Sequence, residues 1–145
     1  MRFVFAPMEG ITGYIFRTVR HRYYDDVAEY YSPFLSPDAN TCWGRREYRD
    51  ILPENNEGIR LIPQIMASRS EYFIRCAREL QSMGYEEVNI NLGCPSGTVF
   101  SKHKGAGMLA YPEELSKFLD DIFSTLTMPV TVKTRIGVTD PEEFY

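Results

Sequence analysis

No apolar run in this chain approaches the ~20 residues that a membrane-spanning helix needs. The opening run, Phe3 to Ala6, meets Pro7 at once and is too short for a signal-peptide core. A cytoplasmic location and no membrane partner are therefore expected. Cysteine is scarce. The three residues, Cys42, Cys76 and Cys94, are odd in number and widely spaced, so they make neither a disulfide framework nor a CxxC metal site. A reducing compartment fits, and no metal is expected. Basic charge is in the minority, with 16 Lys and Arg against 20 Asp and Glu and a net charge of −4. That excludes a generally basic nucleic-acid binder, while a local basic patch stays compatible. Against these absences, 43% hydrophobic and 25% charged residues are ordinary for a globular protein, and 145 residues suit one domain. The aromatic share is 14%, rich in Tyr and Phe, which serves either stacking surfaces or core edges.

The most informative stretch is Ile90-Asn91-Leu92-Gly93-Cys94-Pro95-Ser96. A strand-like run from Glu87 reaches an Asn. A Gly then permits close backbone approach, and a Pro after the Cys fixes the local φ. The Cys94 thiol is thus offered at the mouth of a strand. Two readings stand here: a reactive sulfur, or a packed one, since free Cys is among the most buried residue types.

The pattern along the chain alternates strands and helices. Strands are expected at Phe3–Ala6, Val27–Tyr31, Arg60–Met66, Glu87–Leu92 and Pro129–Thr134. Helices are expected at Thr12–Arg22 with Ile15, Phe16 and Val19 on one face, and from a Ser68 cap to Gly84 with Phe73, Ile74, Ala77, Leu80 and Met83. A third runs from Pro112 to Leu126 with Leu115, Phe118, Leu119 and Ile122. The section 35–58 reads as irregular, with helix around Ala39–Tyr48, and 93–109 as a long loop. Thr139-Asp140-Pro141-Glu142-Glu143 reads as the start of a helix that stops at Tyr145. Alternation of this kind implies α/β architecture with a parallel sheet. The expected fold is a partial (β/α)8 TIM barrel of about five N-terminal βα units. A five-stranded doubly wound domain is the alternative.

Polar and special residues gather at the strand ends: Pro7, Met8 and Glu9 after the first, Gln64 late in the third, Asn91 and Cys94 after the fourth, Lys133 and Arg135 at the fifth. In a barrel these ends converge on one face, where such folds place their active sites. Five segments in order, FAPMEGITGYIFR, PQIMA, INLGCPSG, KGAGML and VTVKTRIG, cover nearly the whole chain. Together they resemble the N-terminal half of a tRNA-dihydrouridine synthase, a flavin enzyme of the TIM-barrel class.

The resemblance implies roles. Pro7 and Met8 would lie against the ring of FMN, and Gln64 would bond a polar edge of the isoalloxazine. Asn91 would orient the flavin or the uracil. Lys133 would put positive charge where negative charge gathers on reduction. NADPH would be the reductant, tRNA the partner, and Cys94 the general acid that protonates C5 of a uracil unstacked from the RNA. Lys102 and Lys104 would reach tRNA phosphates from a loop that closes over the base. Arg45, Arg46 and Arg49 read as a solvated helix face, Cys76 as packing, and Cys42 has no role. Gly13 and Thr98 depart from the family pattern, which often has Asp and Lys there. Lys102 or Lys104 would supply the charge missing at Thr98.

The resemblance also implies three further barrel strands, a later His, glycine-rich phosphate loops and a helical tRNA-binding domain, none of which lies within these 145 residues. The isolated chain is accordingly expected to be an inactive fragment that self-associates and binds FMN poorly. A dihydroorotate dehydrogenase-like enzyme, which works on the same pyrimidine bond over FMN, is the alternative activity.

Overall fold

Every strand pairing in the computed structural model is parallel; it describes residues 2–24 and 26–144. The order is β1 (Val4–Phe5), α1 (Tyr14–Tyr23), β2 (Glu29–Tyr31), α2 (Arg45–Ile51), β3 (Leu61–Ile62), β4 (Gln64–Ile65), α3 (Ser70–Ser82), β5 (Val88–Leu92), α4 (Gly97–Phe100), α5 (Pro112–Thr125) and β6 (Val130–Thr134). 3-10 turns cover Pro53–Asn56, Gly105–Ala110 and Pro141–Phe144. The strands form two three-stranded ladders, β1-β2-β3 and β4-β5-β6. This is the α/β, parallel-sheet class expected.

The single strand expected over Arg60–Met66 is two. Pro63 divides it, because a proline has no N–H to give a ladder. Before it, the Ile62 carbonyl accepts Ser32 N at 3.1 Å on the β2 side. The Pro63 carbonyl accepts Asn89 N at 2.9 Å on the β5 side. The isolated parallel bridge Leu35↔Ile65 ties the two ladders further.

The core lies between β4-β5-β6 and the helices α3 and α5. Strand periodicity sends Val88, Ile90 and Leu92 outward to those helices. Phe73, Ala77, Leu80, Phe118 and Ile122 meet them, and Phe73 and Phe118 touch edge to face at 6.0 Å. Each fully buried large apolar side chain is worth about 1.5–3 kcal/mol. Both helices thus bury the faces their spacing predicts. Gly84, at φ +96°, ends α3, and Tyr85 N returns to the Leu80 carbonyl at 3.1 Å. Cys76 is packing, fully buried, and burial pushes its thiol up.

Other local expectations change. Arg69, not Ser68, is the N-cap of α3, and Ser70 Oγ bonds Asp121 of α5 at 2.7 Å. α2 begins only at Arg45, because the Asp38 carboxylate folds 38–41 into a turn by accepting Asn40 N and Thr41 N. The loop 93–109 contains α4 and a 3-10 turn. The helix expected to start near Asp140 is a 3-10 turn. Glu143 accepts the main-chain N–H groups of Val138, Thr139 and Asp140 there. Tyr145 lies outside the described residues.

The largest difference is at α1. Ile15 and Val19 do share a face, but it is turned to solvent, 63% and 52% exposed, with Ile11 and Tyr23 alongside. The side chain that α1 buries is Arg17, at 0% exposure. Its guanidinium bonds the carbonyl of Thr12, the carboxylate and carbonyl of Asp50, and Asn56 Oδ1. No helix among the described residues is long and apolar enough to cross a membrane.

Candidate active site

The face of β4-β5-β6 opposite the helices is polar. Asn89 and Asn91 alternate with the core residues of β5, so both lie on it. The register pairs Gln64 with Asn89, Asn89 with Thr131, and Asn91 with Lys133. Gln64 and Asn91 are 0% and 6% exposed. Buried amides need partners, and these have them. Asn91 Nδ2 donates to Gln64 Oε1 at 2.7 Å, and Gln64 Nε2 donates to Asn89 Oδ1 at 2.7 Å. Asn89 Nδ2 donates to Thr131 Oγ1 at 3.0 Å, and Thr131 to Glu87 at 3.1 Å. The Gln64 main-chain N–H goes to the buried Ser32 hydroxyl at 3.0 Å. Lys133 is half-buried, with no carboxylate within 4.0 Å among the described residues.

Cys94 sits directly beyond this row. Asn91 Oδ1 accepts both Gly93 N, at 3.1 Å, and Cys94 N, at 3.0 Å. The Cys94 carbonyl accepts Ala106 N at 3.1 Å, which folds the 105–110 turn back over it. Gly105, at φ +54°, is required at that closure, since a Cβ there would lie 3.0 Å from Cys94 Cβ. The thiol is half-buried, unlike those of Cys42 and Cys76.

Met8 is 58% exposed on the turn after β1. Buried Thr12 holds that turn: its hydroxyl accepts Met8 N at 2.7 Å, and the Met8 carbonyl accepts Thr12 N at 3.0 Å. Gly13 makes room for Asp50, whose Oδ1 would be 3.1 Å from an added Cβ. Among the described residues, no hydrogen bond joins the Pro7–Met8 turn to the Gln64–Asn91–Cys94 group.

The two loop lysines differ. Lys102 is exposed, whereas Lys104 is half-buried and donates to Ser36 Oγ at 3.1 Å. Burial lowers the Lys104 ammonium's affinity for its proton, and Lys102 adds to that; Asp38 and Glu47 oppose it. His103 stacks on Tyr111 at 3.9 Å and lies 3.2 Å from Glu114, so its ring is engaged at the start of α5. Arg45, Arg46 and Arg49 stand exposed on α2. Glu29 pairs with Arg60 at 2.7 Å and with Arg2, at the opposite end of the strands.

The sequence profile described as dihydrouridine synthase (Dus) matches residues 4–145. The chain belongs to the dihydrouridine synthase family. A tRNA-dihydrouridine(20/20a) synthase of Vibrio parahaemolyticus is 37% identical over 95 residues, 66% of this chain and 29% of the relative. A probable tRNA-dihydrouridine synthase of Staphylococcus epidermidis is 30% identical over 149 aligned residues, 98% of this chain and 43% of its own length. A tRNA-dihydrouridine synthase B of Vibrio vulnificus is 28% identical, covering 94% of this chain and 41% of the relative. The chain therefore spans less than half the length of each of these three relatives.

In this dihydrouridine synthase family member, four participants in the polar row escape the motif reading: Asn89, Thr131, Ser32 and Glu87. The signal for the first was present in Val88-Asn89-Ile90-Asn91-Leu92, where two amides two positions apart must share a strand face. Thr131 stands in the same relation to Lys133. Ser32 carried no such signal, because only the Gln64 N–H it receives gives it a place.

Proposed function

We propose that the protein is a tRNA-dihydrouridine synthase that reduces the C5–C6 bond of a uridine in tRNA, with FMN as cofactor and NADPH as reductant. The observation that carries this reading is a half-buried Cys94, just beyond the end of β5, held by its own N–H to Asn91, which shares a sheet face with Gln64 and Lys133. The relatives' names point the same way. On this reading the strands are the N-terminal part of a (β/α)8 barrel, and their C-terminal ends carry the site.

The donor set fits FMN. Gln64 and Asn91 each spend one amide N–H inside the protein and keep a second. Lys133 is a cation without a carboxylate partner among the described residues. Donors and a free positive charge suit an electron-rich heterocycle edge. Gln64, Asn91 and Lys133 would hold that edge, and Pro7 and Met8 the ring face. When bound, FMN supplies the hydride that goes to C6, taken from NADPH.

Cys94 provides the proton. Its S–H bond breaks as the C5–H bond forms, and the thiolate regains a proton from water. Lys102 would meet an RNA phosphate.

The test compares Cys94→Ala with the parent protein. The variant is expected to keep its FMN and its reduction by NADPH, and to lose dihydrouridine formation at least ~100-fold. Normal product yield would reject the role of Cys94. Turnover of free dihydroorotate with none on unmodified tRNA would overturn the substrate assignment.

A further inference from the structure

Amide orientation usually rests on the surrounding hydrogen-bond network. Here both ends of a network fix it. Main-chain N–H groups can only donate, so the atom of Asn91 facing Gly93 and Cys94 must be its oxygen. Its nitrogen must then face Gln64, which must present oxygen to Asn91 and nitrogen to Asn89. Asn89 in turn must give its nitrogen to Thr131, whose hydroxyl proton is left for Glu87. A carboxylate can only accept, so reading back from Glu87 gives the same polarity. One directed chain runs from the Cys94 main chain across β5, β4 and β6.

We infer that Asn91 is the positioning residue of Cys94, and that Gln64 holds Asn91 in the one amide orientation able to do this. The inference rests on the role proposed for Cys94 and deepens it. Asn91 Oδ1 is committed to two main-chain groups, so what Asn91 does for the thiol passes through the backbone. Its action is to keep Gly93 and Cys94 in one conformation while Ala106 holds the Cys94 carbonyl from the other side.

Three substitutions separate this from a direct contact between the Asn91 N–H and a bound ring. Asn91→Ala removes both the acceptor and the donor. Asn91→Asp keeps an acceptor for Gly93 and Cys94 but has no N–H to give, so the Gln64 and Asn89 amides must both turn over to donate towards its second oxygen. Asn91→Ser stays polar yet is too short to serve both amides, and it replaces the alanine variant should that one fail to fold. The readouts are hydrogen exchange at the Gly93 and Cys94 amides and the iodoacetamide alkylation rate of Cys94, resolved by peptide mass spectrometry. Both are independent of turnover.

In Asn91→Ala or Asn91→Ser, exchange at both amides should be about tenfold faster, as expected for losing one to two net hydrogen bonds. Cys94 alkylation should change with it, while Asn91→Asp stays near the parent in both. Dihydrouridine formation should follow the same order through kcat. Unaltered exchange in Asn91→Ala and Asn91→Ser, or Asn91→Asp as unprotected as alanine, overturns the inference. Because the exchange measurement needs no activity, a failure of Cys94 as proton donor leaves it standing and is recognised separately.

Discussion

Arg17 donates to Asp50 twice, through Nη1 to the carboxylate at 3.1 Å and through Nη2 to the main-chain carbonyl at 2.6 Å, with the guanidinium shut off from solvent. Burial pulls the affinity of Arg17 for its proton down, and the Asp50 carboxylate restores part of it. Removing one partner of a buried pair leaves a desolvated charge, which costs about 3–5 kcal/mol. Asp50→Ala should lose that much from the step in which α1 detaches during urea unfolding, and Arg49→Ala, on the exposed face of the same helix as Asp50, little.

Lys102 and Lys104 should separate in RNA binding. Each phosphate contact contributes about 0.7–0.9 to the slope of log affinity against log salt. Lys102→Ala should lower the slope by that amount in titrations with unmodified tRNA. Lys104→Ala should leave the slope alone and loosen the 97–104 segment that its bond to Ser36 anchors, seen as faster hydrogen exchange there. A slope change in Lys104→Ala alone would reverse the assignment.

Tyr85 sets an alkaline limit. Its hydroxyl donates to the Ile51 carbonyl at 2.6 Å. Burial pushes the phenol up to about 12; Arg17 opposes this, and Asp50 and Glu54 add to it. The folded protein therefore holds this proton more tightly than the unfolded chain, whose Tyr titrates near ~10. The stability this confers is complete below pH ~10 and is lost as pH rises towards about 12. Tyr85→Phe should flatten that part of the stability profile, measured by denaturant midpoint, while giving up about 1 kcal/mol of hydrogen bonding at neutral pH.

Gly107 is closed to any side chain. A Cβ there would lie 2.5 Å from the Phe100 carbonyl oxygen and 2.8 Å from its Cα, both main-chain atoms that cannot swing aside. Gly107→Ala should cost about 1–3 kcal/mol, the usual range for overpacking. It should also shift the amide resonances of α4. Gly97→Ala, which meets nothing within 4 Å, is the control.

Much of this was legible in the sequence where one periodicity dominated. Phe73, Ala77 and Leu80, or Phe118 and Ile122, repeat at helical spacing against a strand of alternating apolar residues, and each ends in the core. α1 misled because its apolar residues keep helical spacing while Arg17, the residue that docks it, looks like a surface charge in sequence. Besides the Thr12 carbonyl, its partners are Asp50 and Asn56, more than thirty residues later, which the local sequence does not show. Pro63 hid a division because apolar residues run on through it. In the candidate site, Gln64, Asn91 and Cys94 were visible through their motifs, but the directed chain joining them needs Asn89, Thr131 and Glu87, whose contribution depends on strand register.

The exposed stripe on α1 carries a thermodynamic consequence. Ile11, Ile15, Val19 and Tyr23 are already largely in water, so the apolar area that releasing this helix uncovers is confined to Phe16 and to Phe5 and Tyr30 beneath it. Its detachment should carry a small heat-capacity change and a shallow urea dependence. α1 would then come away as a separate, weakly denaturant-sensitive step, while α3 and α5 leave together in the steep main transition.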